Sequence, residues 1–541
     1  MKSLKYLASL ILIIFSLVFE AEAKSDSWIV SDREVYVSGE YVLAKIFTPQ
    51  NQNFKVVSLS LTSIDGYPVA NVNLSITNHQ ASGYLYLPDS LQTGSFLLTA
   101  YSSHFQKRSL FTKEILVLNR FENSEKELQI TRAQLDSLIP DENNGIQMLE
   151  LHPNYNQREQ VNVRIQLDDV LKSKLDGELS IVVSESVPDW KPQMMAFENG
   201  LDNALLLTEY QGVVMQGVVS DKKTGEPMEG ATVFLTKADS IPYFDYYQTG
   251  EDGRFYFLLK KFYGSQSLVV KAEKEGENEL LKISLDDQWM NQNIKIESES
   301  IKITDKFQNY FADAISAVTF NKIFKAQSLV LQETNYHTVY PFPFYGNPTV
   351  QVDPDDFFDL PDFNEISKEL LLLVRFREHE GHYSLSLIDR GIGKFFPDPP
   401  LILLDGVPAT VEQIAPLGTK DIDWIDVVPF QQFYGNKRFD GILAIYTKQL
   451  DASRIFTSDR VLKLNFETLQ GESHLPDLSN SDDHVPDFRQ VLYWNPKLNV
   501  QDTMLFNFST SDIKGRFKVQ VNGRTKDGEL IQRIQYFTVT E

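Results

Sequence analysis

The 541-residue chain contains no cysteine, and methionine (8) and tryptophan (5) are sparse. Without cysteine there are no disulfide frameworks, thiol nucleophiles, iron–sulfur clusters or Cys-based zinc sites, and no lipid attachment through an N-terminal cysteine. Basic residues are in deficit, 51 Lys+Arg against 74 Asp+Glu, a formal charge of −23. Such a balance argues against a nucleic-acid binder, because phosphate contacts require clustered Lys and Arg. Beyond the first 23 residues no stretch reaches 18 consecutive apolar residues, so no membrane helix is expected there. What is present is substantial: 42% hydrophobic residues with 36 Phe and 23 Tyr, too many for a disordered chain. At roughly 100–200 residues per domain, three to five domains are expected.

The N-terminal residues carry the marks of a secretory signal. Lys2 and Lys5 precede an apolar run from Tyr6 to Phe19, and Ala21-Glu22-Ala23 is a small-x-small cleavage pattern. The run is short for a membrane span, so cleavage after Ala23 is expected rather than a retained anchor. Residues 28–120 then read as antiparallel β. Val57, Leu59 and Leu61 alternate with Ser58, Ser60 and Thr62, the period of a half-buried strand. Turn signals such as Asp65-Gly66 separate short strands, as in a β-sandwich.

Three segments resemble known families. Ser31-Asp32-Arg33-Glu34-Val35-Tyr36-Val37-Ser38-Gly39-Glu40 is similar to the opening strand of a macroglobulin-type domain. Leu87-Pro88-Asp89-Ser90-Leu91 and Gly94-Ser95-Phe96 resemble its later strand. The likeness implies an immunoglobulin-like sandwich, not thioester trapping, since the thioester requires a cysteine. Met215–Asp221, Thr224-Gly225-Glu226-Pro227-Met228-Glu229-Gly230-Ala231 and Thr249-Gly250-Glu251-Asp252-Gly253-Arg254-Phe255 closely resemble the carboxypeptidase regulatory-like domain. That likeness implies a seven-stranded prealbumin-like sandwich. None of the eight histidines has Glu three positions on, so only the accessory module is expected, not a zinc carboxypeptidase.

Pro400-Leu401-Ile402-Leu403-Leu404-Asp405-Gly406-Val407-Pro408, Asp421–Val428 and Gly441–Lys448 resemble the plug domain of TonB-dependent outer-membrane receptors. In such receptors the plug fills a barrel of about 22 strands. Only 93 residues follow Lys448 in this sequence. A barrel of that size needs about 220 residues before any loops. A plug-like module without its own barrel is expected. Val485–Pro496 resembles a segment of large Bacteroidota envelope proteins that combine these three module types. By that resemblance, the strands at 160–185 and 490–540 are two halves of one sandwich, with the other modules inserted between them.

Catalytic motifs are scarce. His379-Glu380-Gly381-His382 is one residue short of His-Glu-x-x-His, and Glu380-Gly381 is a ready hairpin turn. Asp353, Asp355, Asp356 and Asp359, and then Asp482, Asp483 and Asp487, are acidic but lack the spacing of a calcium loop, so solvated loops are expected. No nucleophile elbow, phosphate loop or dinucleotide turn is present. The Pro-spaced aromatics Tyr340, Phe342, Phe344 and Tyr345 are candidates for partner docking, since aromatics dominate interface hot spots. The competing reading is a strap packed over a module junction.

The expected fold is mainly β: several Ig-like and prealbumin-like β-sandwiches plus a small α+β plug-like domain. The expected boundaries are a signal peptide at 1–23, a macroglobulin-like sandwich at 24–121 and a linker at 122–157 with a short helix near Thr131–Leu138. Next come the first part of the split sandwich at 158–200, the regulatory-like sandwich at 208–300 and a helical connector at 301–335. The plug-like domain at 336–452 and a C-terminal sandwich part at 453–541 complete the chain. The connector helix spans Asp305–Lys325, with Phe307, Phe311, Ile315, Val318 and Ile323 at helical spacing. The functional expectation is an exported, non-enzymatic binding or scaffold subunit without cofactor or metal. It would be periplasmic, associated with the outer membrane, and docked on an outer-membrane barrel or complex. The alternative is a macroglobulin-like protease-interacting protein without a thioester.

Overall fold

The computed structural model describes residues 28–48, 55–101, 108–122, 129–133, 145–188, 190, 193–199, 212–260, 262–289, 298–302, 304–324, 342–471 and 486–541. The signal-like segment and Tyr340 lie outside them. The described chain is mainly β and divides into two compact units. One unit combines residues 1–211, 291–334 and 472–541; the other combines 212–290 and 335–471.

The first unit contains two sandwiches. In the N-terminal one, Tyr41–Phe47 lies between Trp28–Ser31 and Gln80–Tyr86. A six-stranded sheet faces it, with Met194–Asn199, Arg108–Leu118, Gly94–Tyr101, Val56–Ser63 and Pro68–Ser75 in order, and Val35–Val37 running parallel to Arg108–Leu118. Ile46, Val57, Leu59, Leu61, Leu98 and Ile115 fill its core. The second sandwich draws its strands from both ends of the chain. Gln160–Leu167 pairs antiparallel with Thr503–Ser509. Leu179–Glu185 lies between Gly515–Arg524 and Val491–Leu498. The cause is visible in one strand. Val161, Val163, Ile165 and Leu167 are buried while Gln160, Asn162, Arg164 and Gln166 are exposed. Each such apolar side chain removed from water contributes about 1.5–3 kcal/mol before entropy is counted. That burial requires an opposing sheet, and the residues that complete it come from the C-terminal segment.

Helix Asp305–Phe324 belongs to this unit. The Thr304 hydroxyl accepts a bond from Phe307 N, tying the first turn. Phe307, Tyr310, Phe311, Ala314 and Val318 pack on Val35, Val37, Leu116 and Leu118. Ile315 is only partly buried and Ile323 is 67% exposed, so the buried stripe is narrower than the spacing of apolar residues predicts.

In the second unit, one sandwich has a three-stranded sheet, Arg254–Leu259, Val213–Asp221 and Leu281–Leu285. Its other sheet is Tyr243–Gln248, Thr232–Lys237, Ser265–Glu273 and Val461–Glu467. Gly253 sits at φ +65°, and a Cβ there would lie 2.5 Å from the Val219 carbonyl oxygen, so a side chain is excluded from that turn. The remaining chain forms a five-stranded sheet, Val350–Val352, Ile422–Tyr434, Lys437–Thr447, Leu401–Leu404 and Val407–Pro408. Helices Phe363–Glu369 and Val411–Ile414 and the hairpin Val374–His379/His382–Asp389 cover it.

Four expectations are corrected. The segment 122–157 holds strands, Gln129–Ala133, Ile146–Leu149 and Asn154–Asn156. Gln129–Ala133 pairs with Ser298–Lys302 where a helix is expected at Thr131. Met194–Asn199 joins the N-terminal sandwich, not the split one. Val461–Glu467 pairs with Ser265–Glu273 instead of joining the C-terminal sandwich. The pairing edges of Gln129–Ala133, Met194–Asn199 and Val461–Glu467 lie on distant chain.

Candidate functional site

The polar run Ser31–Glu40 is almost entirely buried. Its charges therefore need partners, because an isolated buried ion costs several kcal/mol. Asp32 accepts from the Tyr36 hydroxyl at 2.7 Å and from Leu43 N at 2.8 Å. Burial pushes its carboxyl up, against the opposing pull of Arg33 and the Tyr36 hydroxyl. The Arg33 guanidinium donates to Glu40 at 3.0 Å and to the Gln490 side-chain oxygen, and lies over the Tyr36 ring at 4.8 Å. Lys518 donates to both Glu34 oxygens at 2.7 and 2.8 Å. Burial alone would raise the Glu34 carboxyl, but Lys518 and Lys113 outweigh it and hold it below the usual range. Lys113 donates to Ser31 Oγ at 2.6 Å, and burial lowers its ammonium to about 8.

Gln490 is the hub of this network. It accepts from Arg33, donates to Glu185 at 3.2 Å and reaches the Tyr310 hydroxyl at 3.5 Å. One side chain thus joins the N-terminal sandwich, the split sandwich and the helix. Burial pushes the Glu185 carboxyl up to about 7, although Gln490 and Arg33 pull it down. Beside it Asp487 forms a two-pronged pair with Arg489 at 2.7–3.0 Å. Asp487 is therefore a buried ion-pair member and not part of a solvated loop; Asp482 and Asp483 lie outside the described residues. Two further pairs follow the same pattern: Arg132 with buried Glu114 at 2.8–3.2 Å, and fully buried Arg524 with Asp176. Chemically, the arrangement locks three elements together.

The second unit positions the sequence-predicted aromatics. Phe344 stacks on Phe244, centroids 4.1 Å apart and 12° between planes, and meets Tyr434 edge-on at 5.1 Å. Tyr345 is buried; its hydroxyl bonds Asp426 at 2.8 Å and Tyr446 at 2.7 Å. Burial raises the Asp426 carboxyl while Tyr345 and Gln351 donate to it. Phe342 alone of the described three presents an exposed ring, 55% accessible. Phe344 and Tyr345 are thus a strap between the five-stranded sheet and the Tyr243–Gln248 strand. Around them, Tyr246 donates to the Tyr434 carbonyl at 2.9 Å and Lys271 to the Pro408 carbonyl at 2.7 Å.

Asp405 and Gly406 form the turn after Leu401–Leu404, at φ +51° and +82°. The Asp405 carboxylate is buried and accepts from Thr447 N at 2.7 Å, Thr447 Oγ1 at 2.8 Å and Ala452 N at 3.2 Å. The Asp-Gly of the plug-like motif is a structural clamp. His379 and His382 are exposed register partners across the Glu380-Gly381 turn. Asp355 pairs with Lys448 at 2.8 Å and Asp359 with Lys420 at 3.1 Å. Among the described residues no three His, Asp or Glu side chains are grouped to hold a metal ion.

The residues missed from sequence are the hub and its counter-ions: Arg33, Glu34, Glu185, Gln490 and Lys518. The available signal was the density of charge, Asp32-Arg33-Glu34, directly before an apolar strand.

No protein-family model and no curated protein matches the chain. Among solved structures it is similar to Salmonella alpha-2-macroglobulin reacted with methylamine, at 9% identity and TM-score 0.24, covering 95% of this chain and 39% of that one. The native conformation of E. coli alpha-2-macroglobulin gives 10% identity and TM-score 0.24, covering 95% and 40%. The E. coli adhesin FdeC gives 10% and 0.14, covering 49% and 64%. This chain spans about two fifths of the macroglobulins it resembles. Likeness at these scores carries no argument about function. No helix among the described residues is long and apolar enough to cross a membrane.

Proposed function

We propose that the chain is a non-enzymatic binding or scaffold subunit of an exported, envelope-associated assembly. Its partner class is an outer-membrane barrel or complex. The observation that supports this most is how the plug-like sheet is built in. Val269 and Val461 of the neighbouring sandwich sit in the same core as Ile402, Leu404, Ile425 and Leu443. The Phe344–Tyr345 strap and Lys271 tie the two further. A sheet packed this way serves as a fixed part of a rigid unit. The charged core of the other unit supports the same reading, since its carboxylates are engaged by cations and donors. Affinity purification of the tagged chain from detergent-solubilised outer membranes tests the proposal. Stoichiometric recovery with a barrel protein or complex is expected. Recovery only as a free monomer refutes it.

A further inference from the structure

Two adjacent phenylalanines in the second unit point into solvent: Phe358 is 90% exposed and Phe357 54%. Side chains of this size are normally covered, and each has enough apolar area to anchor an interface. Their backbone is held on both sides. Val350–Val352 pairs with Ile422–Tyr434 just before them. Pro354–Asp356 is a single helical turn capped by Asp353, closed by Phe357 N on the Pro354 carbonyl at 3.1 Å. Lys448 grips Asp355 at 2.8 and 3.0 Å. On the far side Leu360 exchanges bonds with Thr419, its N on Thr419 Oγ1 at 3.1 Å and its carbonyl accepting from Thr419 N at 3.0 Å. The rings are therefore presented by a fixed loop, which lowers the ordering cost of seating them.

The rim is net acidic, since Lys448 and Lys420 offset only Asp355 and Asp359. Residues 353–362 include Asp353, Asp355, Asp356, Asp359 and Asp362 and no Lys, Arg or His. An anionic lipid surface repels such a rim. A protein pocket edged by Lys and Arg attracts it and is also steered toward it in a chain of net charge −23. We propose that Phe357 and Phe358 are the docking prong of this unit, seated in an apolar, basic-rimmed pocket of a protein partner. The inference rests on the proposed binding role and names the surface that performs it.

The test uses the full chain in the cells that make it. A photo-crosslinking phenylalanine replaces Phe358, with the same probe at exposed Tyr67 of the other unit as control. In parallel, F357S/F358S and Asp356→Lys are compared with wild type in co-purification. A discrete protein adduct at 358 whose crosslinked peptide is flanked by Lys or Arg is expected. Partner recovery is expected to fall at least about tenfold in F357S/F358S, the loss typical of a hot-spot anchor, and to fall in Asp356→Lys and with added salt. Unchanged hydrogen exchange in residues 342–471 confirms that the variants are folded. Full recovery with F357S/F358S, an adduct confined to lipid or to the control position, or binding of the chain to phosphatidylglycerol vesicles overturns the prong and leaves the binding role standing. Wild type purifying alone overturns the binding role itself.

Discussion

Glu185→Gln isolates the energetics of the buried hub. In the fold the Glu185 carboxyl is pushed up to about 7 by burial, from an ordinary value of 4.5. A displacement of that size corresponds to on the order of 3 kcal/mol against the ionised form, and partial exposure of the residue reduces this to about 2 kcal/mol. The sign follows from proton binding. Between pH 4.5 and 7 the folded state holds a proton on Glu185 that the unfolded chain has released, so stability falls as pH rises through that window. Glutamine keeps the acceptor that Gln490 Nε2 reaches at 3.2 Å and cannot ionise. The variant should match wild type near pH 4.5 and exceed it by about 2 kcal/mol at pH 8. Urea unfolding at pH 5, 6, 7 and 8, read by hydrogen exchange in Val35–Val37 and Leu179–Glu185, measures the difference. Parallel pH profiles for the two proteins would refute the reasoning, since the proton uptake would then lie elsewhere.

Glu34→Ala leaves buried Lys518 and Lys113 without their carboxylate and should cost about 3 kcal/mol, whereas E34L/K518M should cost far less; chemical denaturation distinguishes the two. Lys45→Met should stabilise the N-terminal sandwich by about 2 kcal/mol, because burial lowers that ammonium to about 8 and Glu178 reaches it only at 3.6 Å. The folded group is neutral above pH 8 while the unfolded one stays charged to about 10.5, so the gain should shrink across that interval in pH-dependent melts. Asp405→Ala orphans the buried N–H groups of Thr447 and Ala452 and should cost about 2 kcal/mol, seen as faster amide exchange at 447–452.

Much of the local structure was legible in the sequence. Val161, Val163, Ile165 and Leu167 announce a half-buried strand, and they form one. Asp405-Gly406 and Glu380-Gly381 announce turns, and both are turns with positive φ. Seven described strands form the two sheets around the Gly253 turn. The seventh, Val461–Glu467, arrives from beyond the plug-like segment, because strand pairing is settled by which edge is open and not by sequence distance.

The candidate site was less legible. In sequence Phe344 and Tyr345 fit either a docking loop or a strap over a module junction, and only the fold turns them inward onto Asp426, Tyr446 and Phe244. Exposed Phe357 and Phe358 look no different in sequence from the buried Phe363 that follows them.

By itself the sequence determined the absence of thiol chemistry, the excess of acid and the period-two strands, because composition and local alternation are properties of neighbours along the chain. Only the tertiary structure decided which charges are buried. Glu34 meets Lys518, and Arg33 meets Gln490, across more than 450 positions. Electrostatic pairing of that kind depends on distance in space, which the order of residues does not record.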